Sequence, residues 1–204
     1  MKTASLLDLI EAFVSAQLSV CGDELIYHNL NHTLSVVGNA SKIADYYELT
    51  DSERFVVLAA SWFHDLGYIS GDPAGHEQRG ASIFHEFANS LFIEGDLIEH
   101  VTGCILATTL PQNPTNLLES IVCDADLYHF GTSEFAKKDA LMREETSRRL
   151  KKDISAGSWL AGSAKLLRSH QFSTPYCQDK LAAQKQENLR QLEARIQAGS
   201  KEDQ

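Results

Sequence analysis

The residues best suited to chemistry are two histidines four positions apart and a histidine followed directly by an aspartate. These are His28 and His32, and then the doublet His64-Asp65. If the first pair is helical, both imidazoles project from one face; if the helix begins at residue 29, His28 lies just before its first turn. Either geometry lets the two rings converge on one small volume. The same spacing is also typical of surface or capping histidines.

The doublet His64-Asp65 ends a nearly unbroken apolar run that begins at Phe55, and Gly67 follows it. Burying an imidazole and a carboxylate costs desolvation free energy, which a bound cation would offset. The alternative is a hydrogen-bonded His–Asp pair that ends a helix without any metal. The context of the doublet, rather than the dipeptide itself, favours a metal site.

A pair of aspartates separated by one alanine forms a second candidate motif, Asp124-Ala125-Asp126. Two buried carboxylates at this spacing repel each other unless a cation lies between or beside them. Asp124 could instead cap the helix that follows. We therefore expect one of the two to bind a metal and the other to support it.

The motif Gly75-His76-Glu77 follows a turn-rich loop that begins at Gly67. His76 and Glu77 could support the metal ligands or belong to a second metal site. They could equally be the start of a helix with an acidic first turn.

The spacing of apolar residues predicts an all-α protein, a single compact bundle of about eight or nine helices over residues 1–198 with a flexible tail at 199–204. Thr50 and Glu53 have the spacing of a capping box at the start of the central helix. The second helix is expected over residues 29–47, with these residues facing inward: Leu34, Val37, Ala40, Ile43 and Ala44. The other predicted helices cover residues 5–19, 96–107, 133–152, 158–171 and 175–197, with two further ones near residues 77–87 and 117–122.

Composition restricts the class of protein. The 204 residues are 43% hydrophobic and carry a net charge of −10, which argues against an extended nucleic-acid partner. No segment approaches the ~18 apolar residues of a membrane span. The four cysteines are far apart and predict neither a disulfide framework nor a zinc site, so we expect a cytoplasmic protein.

Taken in order, His32, His64-Asp65 and Asp126 resemble the ligand set of the HD-domain superfamily of metal-dependent phosphohydrolases. The resemblance extends to one bacterial subgroup through the stretches 27–33, 64–68, 75–77, 105–108 and 123–127, and further to 170–174 and 185–189. It implies a divalent metal in a helical bundle. In the family an alanine precedes the ligand aspartate, which favours Asp126 over Asp124. Two imidazoles and two carboxylates suit Mn, Mg, Fe, Co, Ni or Zn.

The segment Tyr27-His28-Asn29 with His32 also resembles the opening motif of cyclic-nucleotide phosphodiesterases. That resemblance implies that His28 is the general acid. Asp65 is also predicted to be catalytic, in addition to being a metal ligand. The chain departs from those enzymes at residues 66–68, where Leu-Gly-Tyr stands in place of another aspartate and histidine. The departure weighs against a second metal of the phosphodiesterase type.

The expected function is metal-dependent hydrolysis of a phosphoester in a nucleotide or another small phosphorylated molecule. The alternative is a non-catalytic regulatory HD module that binds a metal and a nucleotide. The expected partner is the small substrate, with no membrane, and the chain could form a homodimer. Lys185 or Arg79 could contact the substrate phosphate or be a solvated surface charge, so neither is assigned a role, and none is assigned to His170.

Overall fold

A computed structural model describes the backbone of residues 3–21 and 25–202 and the side chains of these residues up to residue 198. Within these residues the chain is all helical and has no β-strand, which confirms the predicted fold class. Two 3₁₀ helices cover Leu66–Ser70 and Leu127–Gly131. The α-helices are α1 Thr3–Ser19, α2 Leu30–Tyr46, α3 Asp51–Phe63, α4 His76–Ser90, α5 Gly95–Ala107, α6 Leu117–Asp126, α7 Phe135–Leu150, α8 Ala156–Ser169 and α9 Pro175–Glu202.

The chain divides into two compact units, Met1–Asp126 and Leu127–Gln204. Helices α1–α6 belong to the first unit and α7–α9 to the second. A single domain over residues 1–198 stays a prediction. The tail predicted at 199–204 overlaps the end of α9, and residues 203 and 204 lie outside the described residues.

Helix α3 is the centre of the first unit. Its start is fixed by a capping box in which Thr50 Oγ1 accepts from the Glu53 amide at 3.3 Å and the Glu53 carboxylate accepts from the Thr50 amide at 2.9 Å. Every residue from Phe55 to Phe63 is buried. The helix is apolar all round because α1, α2, α4, α5 and α6 all pack against it.

Helix α2 begins at Leu30, because the side chain of Asn29 accepts hydrogen bonds from the amides of Asn31 and His32 at 2.9 and 3.2 Å. His28 therefore lies before the helix. The predicted inward face is partly wrong: Leu34 is 44% exposed and Val37 is only half-buried, whereas Val36 is buried. The polar residue His32 occupies the inward face of the first turn, and the helix phase then carries Leu34 outward.

The backbone after α3 lies directly against the start of α4. A Cβ placed on Gly67 would lie 2.0 Å from the carbonyl oxygen of His76, and one on Gly80 would lie 2.6 Å from the carbonyl oxygen of Phe63. Only glycine permits this approach. The contact brings the first residue of α4 next to the end of α3.

Two other sequence-based expectations concern cysteines and membranes. The structure has no disulfide bond between the four cysteines, and three of them, Cys104, Cys123 and Cys177, are buried. In the part of the chain that the structure describes, no helix has the length and apolar character needed to cross a membrane.

Candidate metal centre

Four side chains from three helix ends converge at one point in the first unit. His32 comes from the first turn of α2, His64 and Asp65 directly follow α3, and Asp126 ends α6. One donor atom from each lies within 4.8 Å of the others. The side chains of His32, His64 and Asp65 are 3%, 1% and 9% exposed, whereas that of Asp126 is 17% exposed. Asp126 is therefore on the more open side of the cluster.

Asp65 lies between the two imidazoles. Its Oδ2 atom is 3.0 Å from Nε2 of His32 and 3.0 Å from Nε2 of His64. Oδ1 of Asp126 is 3.6 and 3.7 Å from the same two nitrogens. Within the described residues neither Nε2 atom has a partner with hydrogen-bond geometry, although both are buried. The Nε2 atoms and the carboxylate oxygens thus point toward a shared space rather than directly at one another.

The backbone determines which nitrogen of His64 faces this space. Nδ1 of His64 is 2.8 Å from the carbonyl oxygen of Ser61. Because a carbonyl oxygen only accepts, Nδ1 carries the hydrogen, and the neutral ring presents the lone pair of Nε2 to the cluster. A lone pair 3.0 Å from a carboxylate is repulsive unless a proton or a cation lies between them. The same arrangement is typical of histidines that bind metals.

The charges of the cluster shift the pKa values of all four groups. Burial lowers the pKa of the two imidazoles, but Asp65 and Asp126 outweigh it, so the pKa of His32 is raised and that of His64 lies well above its usual value. Burial raises the pKa of Asp65, yet neighbouring histidines hold it well below its usual value. The pKa of Asp126 is lowered in the same way by His32 and His64. Without a cation, the negative charges of Asp65 and Asp126 favour the protonated form of both imidazoles.

This protonation predicts that metal binding releases protons. A cation that binds Nε2 of His32 and His64 must displace the protons favoured by their raised pKa values, so affinity should increase as the pH rises. We expect release of up to about two protons at pH 6 and fewer at pH 8.5. Titration calorimetry in two buffers of different ionisation enthalpy measures this number. Binding with the same affinity and no proton release across this range would contradict the prediction.

His28 lies beside the cluster within a stack of aromatic rings. Its ring centroid is 3.8 Å from that of Tyr68, with the planes 12° apart, and 5.9 Å from that of His32. Tyr27 packs edge-on against His28. The ring centroids of Tyr68 and His76 are 4.1 Å apart. Tyr68 was not singled out from the sequence; its place directly after the His-Asp-Leu-Gly motif was the available signal.

His76 faces the other oxygen of Asp65. Its Nε2 atom is 3.4 Å from Asp65 Oδ1, and its Nδ1 atom is 2.8 Å from the carbonyl oxygen of Pro73. Burial lowers the pKa of His76, but Asp65 outweighs this effect and raises it. Glu77 is buried, with its carboxylate 3.4 Å from Nδ1 of His76. His76 thus repeats the arrangement of His64 on the opposite side of the Asp65 carboxylate.

Asp124 is also buried but is not one of the four converging residues. Residues two apart on a helix point in different directions, so α6 directs Asp126 and Asp124 to different surroundings. Asp126 has an additional neighbour that the sequence did not indicate. Nε2 of Gln112, in the loop before α6, donates a hydrogen bond to Asp126 Oδ2 at 3.1 Å.

Three residues left without a role make structural contacts. The guanidinium of Arg79 donates to the carbonyl oxygens of Gly67 at 3.0 Å, of Ala74 at 2.9 Å and of Asp72, and so holds the loop between α3 and α4. In the second unit, Lys185 donates to the carbonyl oxygen of His170. The hydrogen bonds of Arg79 and of Lys185 therefore each lie within one unit and give these two side chains a structural role.

Comparison with known families agrees with this geometry. The model of the HD domain family matches residues 29–131, half of the chain, and spans all four converging residues. The chain therefore belongs to the HD domain family, whose members are generally metal-dependent hydrolases that bind divalent metals. No curated protein and no solved structure gave a significant match. The bacterial subgroup and the likeness to cyclic-nucleotide phosphodiesterases stay predictions.

Proposed function

We propose that this chain is a metal-dependent phosphohydrolase that cleaves a phosphoester of a nucleotide or another small phosphorylated molecule. The observation that carries the proposal is the convergence of His32, His64, Asp65 and Asp126 within 4.8 Å in a buried part of an HD domain. Separate helix ends supply these groups, so their meeting is a property of the fold rather than of one local motif.

The four residues fit a divalent cation. Two imidazoles and two carboxylates form a mixed nitrogen and oxygen set that suits Mn, Mg, Fe, Co, Ni or Zn. The carboxylates balance the charge of such an ion, and the unpaired Nε2 atoms of His32 and His64 supply lone pairs. When bound, the ion would lower the pKa of a water molecule and polarise a phosphoryl oxygen.

His28 is proposed as the proton donor to the leaving oxygen. Its ring is buried beside the cluster and is held in one orientation by the stack on Tyr68. Asp65 is proposed to act in two ways. Oδ2 faces His32 and His64, while Oδ1 and His76 could orient the attacking water. Glu77 and Asp124 are proposed to support these groups by their charge.

The position of Asp65 is compatible with one ion or with two. Because its two oxygens face different imidazoles, a second ion could lie between Oδ1 and His76 Nε2, which are 3.4 Å apart. Metal analysis of the dialysed protein separates the two cases. If one ion binds per chain, the role of His76 is to orient water. If two ions bind, His76 is a metal ligand.

The proposal is tested by release of phosphate, or of an alcohol from a phosphodiester, across a panel of nucleotides and small phosphoesters. Each divalent metal is added in turn to protein stripped with a chelator. We expect turnover that requires added metal and is abolished by the chelator. Metal binding without turnover of any substrate would overturn the proposal and favour the regulatory module.

The proposed role of His28 predicts a dependence on the leaving group. His28→Ala should lower kcat about 10²–10⁴-fold for an alkyl phosphoester, because the departing alkoxide then lacks a proton donor. The loss should be much smaller for p-nitrophenyl phosphoesters, whose leaving group departs without protonation.

Metal affinity serves as the control for His28→Ala, since His28 is not one of the four converging residues and should leave it unchanged. Equal losses of kcat for the two leaving groups would contradict a proton-donor role.

A further inference from the structure

The loop between α5 and α6 carries one side chain that turns toward the candidate metal centre. Residues 109–111, 113 and 115–117 are exposed, whereas Gln112 and Pro114 are half-buried. Its side-chain amide donates to Asp126 Oδ2 at 3.1 Å. The hydrogen bond reaches the most exposed of the four converging residues, on the open side of the cluster.

The end of the loop that precedes α6 is hydrogen-bonded to the first turn of that helix. The carboxylate of Glu119 accepts hydrogen bonds from the amide of Thr115 at 2.6 Å, from its hydroxyl at 2.9 Å and from the side chain of Asn116 at 2.8 Å. Asn116 Oδ1 in turn accepts from the Glu119 amide at 3.0 Å. These four bonds fix the chain immediately before the helix.

Glu119 and Asp126 are seven residues apart and therefore lie on the same side of α6, about 10 Å apart along its axis. The loop is thus attached at two points to one side of one helix, through Glu119 at its end and through Gln112 at its middle. This double attachment gives the amide of Gln112 a defined position over the carboxylate of Asp126.

We propose that Gln112 is a positioning residue that holds Oδ2 of Asp126 and so directs Oδ1 alone toward the metal. Oδ1 is the atom that faces His32 and His64, at 3.6 and 3.7 Å. Partners that orient a ligand carboxylate typically change metal affinity about 10–100-fold when removed. The inference rests on the metal site of the proposed function and adds a residue outside the ligand pattern of the family.

The test replaces the amide by a group of similar length that cannot donate, Gln112→Met. We expect metal affinity, measured by calorimetry on the full chain, to fall about 10–100-fold. The visible spectrum of the Co²⁺ form should also change, because a released Asp126 can bind through both oxygens. Both readouts are independent of turnover.

Two control variants isolate the hydrogen bond. Gln191→Met makes the same substitution at an exposed residue of α9 whose amide donates to the carboxylate of Glu187, not to any of the four converging residues, and should change neither affinity nor spectrum. Glu119→Gln weakens the attachment at the other end of the loop but keeps the Gln112 amide; it should lower the melting temperature and reduce metal affinity less than Gln112→Met does.

The possible results separate this inference from the proposed function. Unchanged affinity and spectrum in Gln112→Met, with normal metal binding by the unmodified chain, would overturn the role of Gln112 alone. Equal losses of affinity in Gln112→Met and Glu119→Gln, both with unaltered spectra, would overturn it too, since the loop rather than the amide would then matter. An unmodified chain that binds no metal would overturn both this inference and the metal site.

Discussion

Asp65→Asn is expected to lower metal affinity at least about 100-fold and to remove metal-dependent turnover. The change keeps the shape of the side chain and deletes the charge that lies 3.0 Å from both imidazole Nε2 atoms. Groups that merely support a ligand already cost about 10–100-fold when lost, so a central carboxylate should cost more. Calorimetry of metal binding and the rate of hydrolysis measure the two effects.

Asp45→Asn is the matched control, because it makes the same chemical change at a surface ion pair with Arg54 whose aspartate is 65% exposed. Such pairs contribute about 0–1 kcal/mol, so metal affinity and turnover should be retained. Asp65→Asn with affinity within about threefold of the unmodified chain would contradict the account.

The same variant should change how stability depends on pH in metal-free protein. The raised pKa values of His32 and His64 stabilise the fold below their ordinary pKa of about 6.5, and this contribution is lost as the pH rises through the raised values. Asp65 has a lowered pKa, so its contribution is present above about 3.9 and is lost as the pH falls through the lowered value. Asp65→Asn should therefore destabilise the metal-free fold most between roughly pH 4 and 6.5.

Gly67→Ala is expected to destabilise the fold strongly, although it adds only one methyl group. The new Cβ would lie 2.0 Å from the carbonyl oxygen of His76 and 2.8 Å from the Gly80 amide nitrogen, and backbone atoms cannot move aside cheaply. Overpacking of this kind costs about 1–3 kcal/mol or more. Urea unfolding measures the loss, and weaker metal binding should accompany it because His76 is displaced from Asp65.

Gly38→Ala provides the control for this steric argument. Gly38 lies within α2, and a Cβ there would meet nothing within 4 Å. Alanine should stabilise the helix at this position by about 0.5–1 kcal/mol. If Gly67→Ala and Gly38→Ala unfolded at similar urea concentrations, the close approach of α3 and α4 would not be the reason that glycine is needed at position 67.

The sequence predicted the helices that carry the site because their signals are local. The capping box at Thr50 and the apolar run up to Phe63 determine α3 without reference to the rest of the chain. The order of His32, His64, Asp65 and Asp126 indicated a metal site through resemblance to a family. Their approach to within 4.8 Å depends on tertiary packing and does not follow from their spacing in the sequence.

Prediction from the sequence missed or misplaced those residues whose positions depend on tertiary contacts. Leu34 was predicted to face inward from its spacing, but the inward position of His32 sets the phase of α2. Gln112 lies in a loop, where no hydrophobic period marks which side chain turns inward. Tyr68 contacts His28 across 40 positions of sequence, and only the fold brings the two rings into a stack.

Anomalous diffraction from crystals grown with Zn²⁺ tests most directly whether His32, His64, Asp65 and Asp126 together bind one divalent ion. We predict an anomalous peak about 2.0–2.2 Å from Nε2 of both histidines and from one oxygen of each aspartate. A map in which the Zn²⁺ lies elsewhere, while the four side chains bond only to one another, would contradict the account.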